Sequence, residues 1–203
     1  MQVKDLMISN PITITPRSTI RKAIEVMKIN SIRHLPVVTK GDTLKGFLTL
    51  ADLKQGLMPS MLTDVTLKDL IIKEPITVHP EDDIEIAAKL IYNYKIGGMP
   101  VVKDGKVVGI ITQSDILGAF IDMMGLLTDS SRIDVVIGEE PGLLRQVFQI
   151  IHNNDGEILS MGLRSSESPK KIYCFRLSPC STKDIRKALE RESFEVVATR
   201  DKS

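Results

Sequence analysis

The sequence predicts a mixed α/β chain: two copies of a β-α-β-β-α unit, followed by a C-terminal β-α-β-β-α-β unit. Three observations carry this expectation. Residues 3–53 recur at residues 67–117, apolar residues repeat at helical spacing after short extended pieces, and turn residues separate β-branched runs. Lys4-Asp5-Leu6 matches Lys68-Asp69-Leu70, Pro11 matches Pro75, Pro16 matches Pro80, and Pro36-Val37-Val38 matches Pro100-Val101-Val102 (4 against 68, an offset of 64). One residue is then lost in the turn, and Gly46, Thr49 and Asp52 match Gly109, Thr112 and Asp115 (46 against 109, an offset of 63). Two copies are fewer than a solenoid needs, so the units are expected to close on each other.

Each element has a local cause. Ile12-Thr13-Ile14 lies between prolines, which push the preceding residue away from helix, so it reads as a short extended segment. Ser18 is placed to cap a helix in which Ile20, Ala23, Ile24 and Met27 share a face. In the second copy Asp82 or Asp83 takes the capping place, and Ile84, Ala87, Ala88 and Ile91 make the stripe. Leu35–Val38 and Gly46–Leu50 read as strands across Lys40-Gly41-Asp42, and the second copy turns on the hairpin signal Asp104-Gly105. A short helix starting near Asp52 or Asp115 closes each unit.

The stretch Ile116–Leu127, apolar but for Asp122, is costly to leave in water; it reads either as a helix packed on its own module or as a dimer contact. Polar Thr128–Ser131 marks a boundary. Beyond it come the run Ile133–Ile137, a helical stripe of Leu143, Val147, Ile150 and Ile151, and a turn at Asn153–Gly156. Strands Ile158–Leu163 and Lys171–Leu177 flank the polar turn Ser165–Pro169. Ser181 or Thr182 caps a helix bearing Ile185, Ala188 and Leu189, and Phe194–Ala198 is the last strand. That order is the ferredoxin-like one. The expected domains are 1–64, 65–127 and 132–203.

Composition narrows the function. Of 203 residues, 42% are hydrophobic and 26% charged, a globular balance, and a net charge of +1 argues against a dedicated nucleic-acid binder. No run reaches the length of a membrane span, the opening Met1–Asp5 is not a signal peptide, and two cysteines make no disulfide framework, so the expected compartment is the cytoplasm. The three histidines, His34, His79 and His152, stand apart from one another and from cysteines, and no nucleophile elbow, Walker loop or dinucleotide fingerprint occurs. The expectation is a protein without catalytic or metal residues.

The binding chemistry centres on Thr49/Asp52 and Thr112/Asp115. In each pair a threonine ends a strand and an aspartate follows in the first turn of a helix. The spacing serves helix capping, and it also brings a hydroxyl and a carboxylate to a helix start, where ribose hydroxyls and phosphate can be held. The segments HLPVV with GFLTLAD, and GMPVV with GIITQSD, twice in register with matching prolines, resemble the CBS domain, and two copies resemble a CBS pair over residues 1–120.

The resemblance implies that a nucleotide sits between the repeats, the T-x-x-D of one copy facing the early strand of the other. Thr112 and Asp115 then face Thr13, Ile32, Arg33 and His34, while Thr49 and Asp52 face Thr77, Ile96, Gly97 and Gly98. A guanidinium and an imidazole make the first cleft the phosphate-bearing one, with AMP or a related adenosyl ligand as effector. The stretch Pro141-Gly142-Leu143-Leu144, then Gly156-Glu157-Ile158, resembles the ACT domain, with Glu140, Pro141, Gly142 and Leu143 as a candidate amino-acid site, although the turn 153–157 departs from the usual pattern.

A CBS pair followed by ACT resembles the acetoin utilization (AcuB) family. Together these imply a homodimeric regulator of an unknown partner protein, with no nucleic acid or membrane partner. The alternatives are a homodimeric scaffold with empty clefts, or an amino-acid sensor acting through the ACT-like part.

Overall fold

A computed structural model describes residues 1–55, 66–164 and 171–202. The chain divides into two units, Met1–Gly118 and Ala119–Ser203. The predicted turn Ser165–Pro169 and the expected junction between residues 64 and 65 lie outside the described residues.

In the N-terminal unit the repeat is visible element by element: α1 (Val3–Leu6), β1 (Ile8–Ser9), α2 (Ile20–Ile29), β2 (His34–Val38), β3 (Leu44–Thr49) and α3 (Leu50–Gln55) in the first copy. The second copy has α4 (Leu67–Leu70), α5 (Ile84–Tyr94), β4 (Gly98–Lys103), β5 (Lys106–Thr112) and α6, which runs Gln113–Met123. The extended pieces after Pro11 and Pro75 reduce to single parallel bridges, Ile14 to Val37 and Val78 to Val101. Each hairpin is antiparallel and carries a bulge, between Val37 and Val38 and between Val101 and Val102. Asp104 and Gly105 both have positive φ, 51° and 74°, as the tight two-residue turn requires.

The cap of α2 is Thr19, whose Oγ1 accepts the Lys22 N–H at 3.1 Å; Ser18 instead hydrogen-bonds the Thr15 hydroxyl. Asp83 stands at the start of α5 without a side-chain cap, while Asp82 accepts the His79 N–H.

The N-terminal segments are exchanged between the copies. Val3 is buried in the second core with Ile84, Ala87, Met99, Val101 and Ile111. Leu67 is buried in the first, with Met27, Leu35, Val37, Leu48 and Leu53. β1 pairs with β5 of the second copy, Ile8 opposite Ile110, and Ile72 bridges Phe47 of the first. Each copy's core is thus completed by the segment that precedes the other copy's helix, which joins the two repeats into one folding unit.

In the C-terminal unit β6 (Ser131–Ile137), α7 (Leu143–Asn153), β7 (Ile158–Arg164), β8 (Lys171–Leu177), α8 (Lys183–Arg191) and β9 (Glu195–Arg200) follow the expected order. They form an antiparallel sheet ordered β7-β8-β6-β9. Alternation puts Ile133, Val135, Ile137, Phe175 and Leu177 on the face covered by Val147 and Ile151 of α7 and Ile185 and Leu189 of α8. Gly142, with φ +96°, begins α7 without a side-chain cap. On the opposite face Asp134, 2% exposed, is gripped by both arms of Arg132.

Of the apolar stretch 116–127, Ile116 and Ala119 are buried, while Leu117, Phe120, Met123, Leu126 and Leu127 are exposed. Among the described residues no helix is long and apolar enough to cross a membrane.

Candidate functional site

The two capping pairs form alike. Asp52 Oδ2 accepts the Thr49 N–H at 3.1 Å and the Thr49 hydroxyl at 2.6 Å, and Thr49 Oγ1 accepts the Asp52 N–H at 3.3 Å. The corresponding distances for Asp115 and Thr112 are 2.8, 2.6 and 3.4 Å. Both readings of the spacing are therefore compatible: Oδ2 caps the helix, while Oδ1 of each carboxylate receives no hydrogen bond from the described residues. On Asp52, which lines a cavity between the repeats, that oxygen is the one a ligand hydroxyl can use.

A cavity of about 1050 Å³ lies between the repeats. Its lining follows the internal symmetry: Ile8 with Ile72, Pro11 with Pro75, Ile12 with Ile76, Ile32 with Ile96, Arg33 with Gly97, His34 with Gly98, and Thr49 with Thr112. The two expected clefts thus open into one continuous space. Ile32, Arg33, His34 and Thr112 of the first prediction line it together with Ile96, Gly97, Gly98, Thr49 and Asp52 of the second. Thr13, Thr77 and Asp115 are not among its lining residues. Thr13 and Thr77 stand beside the bridging residues Ile14 and Val78 instead.

The symmetry holds in backbone positions and fails in charge. The Leu50 N–H donates to the Arg33 carbonyl and the Gln113 N–H to the Gly97 carbonyl, both at 2.9 Å, so each closing helix is tied to the residue before its own hairpin. The side chains at those tied positions are a guanidinium in one copy and a hydrogen in the other. Arg33 is exposed and has no acidic partner among the described residues.

His34 lies flat against Phe47, with ring centroids 5.8 Å apart and planes 16° apart. Its Nε2 is 2.9 Å from where a Cβ on Gly97 would stand, so the imidazole reaches across the pseudo-dyad and only glycine leaves room for it. Burial, aided by the Arg33 charge, holds its pKa below the ordinary value, while Asp115 and Asp52 oppose this.

Sequence reasoning missed Phe47, Lys54, Glu74 and Lys95, which also line the cavity. Phe47 reads as plain core from its apolar run. Glu74 and Lys95 sit at the offset partners of Asn10 and Ser31, and comparing the copies for charge differences would have found them. The residues proposed for an amino-acid ligand, Glu140, Pro141, Gly142 and Leu143, occupy the loop between β6 and α7, where Glu140 and Pro141 are exposed and Leu143 half-buried.

The family model for the CBS domain matches residues 3–58 and 67–122. Homoserine O-acetyltransferase of Methanocorpusculum labreanum is 36% identical over 113 residues, 55% of this chain and 23% of that enzyme. The chain therefore spans only 23% of the length of the enzymes it matches first. A CBS domain-containing protein of Dictyostelium discoideum is 30% identical over 134 residues and is covered over 92% of its length.

Among solved structures, a CBS domain pair in complex with 5′-methylthioadenosine and S-adenosyl-L-methionine is 31% identical with a TM-score of 0.56, over 59% of this chain and 95% of that one. A Vibrio cholerae protein described as an acetoin utilization protein, AcuB, is 30% identical with a TM-score of 0.55, over 63% and 95%. The protein CBSX2 in complex with AMP is 26% identical with a TM-score of 0.53, over 60% and 96%.

Proposed function

The chain belongs to the CBS-domain family, and on that premise we propose that it is a regulatory sensor which holds an AMP-like nucleotide between its repeats. The observation that carries this reading is the cavity on the pseudo-dyad, lined by Thr49, Asp52 and Thr112, with Arg33 and His34 where the other repeat has Gly97 and Gly98. Thr112 and Asp115 serve the ribose, and Arg33 and His34 the phosphate; Gly97, Gly98, Thr49 and Asp52 provide the weaker second position. The adenosyl ligands of the two solved neighbours support the ligand class. Occupancy regulates only if the ligand prefers one of two arrangements of the chain or of its partner protein, so sensing requires differential affinity as well as binding.

The C-terminal unit is an ACT-like regulatory module in this reading, supported by its β-α-β-β-α-β order, with the loop at Glu140–Leu143 as the amino-acid position. The exposed Leu117, Phe120, Met123 and Leu127 support homodimerisation, which light scattering tests. The free cysteines Cys174 and Cys180 suit the reducing cytoplasm. The likeness to the Vibrio cholerae protein supports a role in acetoin utilization.

Thermal shift against AMP, ADP, ATP, S-adenosylmethionine and amino acids tests the reading. A sensor is stabilised by its ligand through linkage, and a scaffold with empty clefts gives no shift with any of them. Arg33→Ala is expected to weaken AMP by about 10- to 100-fold, since a hydrogen bond to a charged group contributes roughly 1.5–3 kcal/mol. Unchanged affinity by calorimetry would remove Arg33 from the phosphate position.

A further inference from the structure

The placement of His34 has a consequence for ligand choice, and it rests on the reading that an adenosyl ligand occupies the cavity. The imidazole is a single group on the pseudo-dyad: His34 has glycine, Gly98, as its counterpart, and its ring crosses to Gly97 of the other repeat. Phe47 fixes the ring from one side. The charged groups around it are Arg33 on its own strand segment, Asp52 at the start of α3 and Asp115 at the start of α6, with Lys54, Glu74 and Lys95 also on the cavity wall.

We infer that His34 is the specificity-determining residue of the cavity, discriminating phosphate-bearing from uncharged adenosyl ligands by taking up a proton when the phosphate binds. Without ligand the ring is kept neutral by burial and by Arg33. As pH falls through about 6.5 the unfolded chain gains a proton at His34 before the folded chain does, so the stability from burying the neutral ring is present above that pH and lost below it. A phosphate beside Arg33 reverses the local balance. Its negative charge favours the imidazolium, which carries a proton on both nitrogens and can donate to the phosphate. A ligand with a thioether in place of phosphate gives no such return for charging the ring.

Calorimetry of AMP and 5′-methylthioadenosine from pH 8 to pH 6.5 separates the possibilities. AMP affinity is expected to rise about three- to ten-fold as pH falls over this range, while 5′-methylthioadenosine stays constant within about two-fold. At pH 7, titrations in buffers of different ionisation enthalpy should show net proton uptake with AMP. His34→Gln should lose both the uptake and the pH dependence, and Arg33→Ala should weaken AMP and reduce the pH slope without abolishing it, since burial still holds the free ring neutral.

A flat AMP profile, or a slope that survives His34→Gln, overturns the assignment even if both ligands bind. Should His34→Gln fail to fold, the proton uptake of the natural chain still decides. Binding of neither ligand overturns the sensor reading itself, and this inference with it.

Discussion

Gly46→Val is expected to destabilise the N-terminal unit by about 3 kcal/mol, the upper range for forcing atoms into a filled core. A Cβ at Gly46 would stand 2.2 Å from Ile71 Cγ2 and 2.7 Å from the Ile72 carbonyl oxygen. The isoleucine side chain can turn away, but the carbonyl cannot, because Ile72 and Phe47 exchange backbone hydrogen bonds of 3.0 and 2.9 Å. The valine must therefore break the bridge that carries the exchanged segment. Phe47 and Ile72 both line the cavity, so nucleotide affinity should fall with stability.

The symmetry-related Gly109→Val should cost less. There the close atom is the Met7 sulfur at 2.5 Å, on a flexible side chain, and the nearest backbone atom, the Ile8 carbonyl oxygen, is 3.2 Å away. The chain has no tryptophan, so urea denaturation followed by hydrogen exchange at the β2 and β3 amides is the suitable measurement. A Gly46→Val chain as stable as the natural one, to within about 0.5 kcal/mol, would mean that Ile71 and Ile72 are not docked on the first hairpin in solution.

The glycine pair also shows where sequence reading stops. Gly46 and Gly109 are visible as matched positions, and a glycine inside a strand signals close approach by another backbone. The approaching segment is not visible, because a repeat reports that two stretches are alike and not which core each one completes. Val3 carries the same apolar signal whether it is buried against its own repeat or, as here, against Ile84 and Met99 of the other.

The Thr–Asp pairs were legible for a different reason. Their geometry is local, with the partners three residues apart, so spacing alone fixes a carboxylate onto the threonine N–H. Arg33 and His34 were legible only through the family resemblance. Nothing in their immediate sequence says that the imidazole crosses to Gly97, and Phe47 looked like a core residue because its partner ring comes from another strand. The sequence points to Ser18 as the cap although the neighbouring Thr19 hydroxyl suits a helix start equally well. The choice is made by the Thr15–Ser18 contact, which uses the serine elsewhere.

In the C-terminal unit, Arg132→Ala is expected to cost about 3 kcal/mol, because breaking a buried ion pair strands the surviving charge. Asp134 is 2% exposed, and its two carboxylate oxygens are taken by Arg132 Nε at 2.7 Å and Nη2 at 2.6 Å. The register places Cys174 directly opposite on β8, with its sulfur 3.5 Å from the same guanidinium. Burial, then the nearby Asp134, push the thiol's pKa up, so it stays protonated and offers Asp134 only a weak donor in place of the arginine.

The reverse deletion is milder. Arg132 has 38% of its side chain exposed, so after Asp134→Val it can turn its charge to water, and a loss of about 1 kcal/mol is expected. Replacing both, as Arg132→Met with Asp134→Val, should recover most of the stability lost in Arg132→Ala, since an apolar pair of similar volume has no charge to desolvate. Hydrogen exchange at the β6 and β8 amides in urea, run on the cycle of Arg132→Met, Asp134→Val and the double variant, reads this directly. Simple addition of the Arg132→Met and Asp134→Val losses in the double variant would show that the pairing of charges does not hold this face of the sheet.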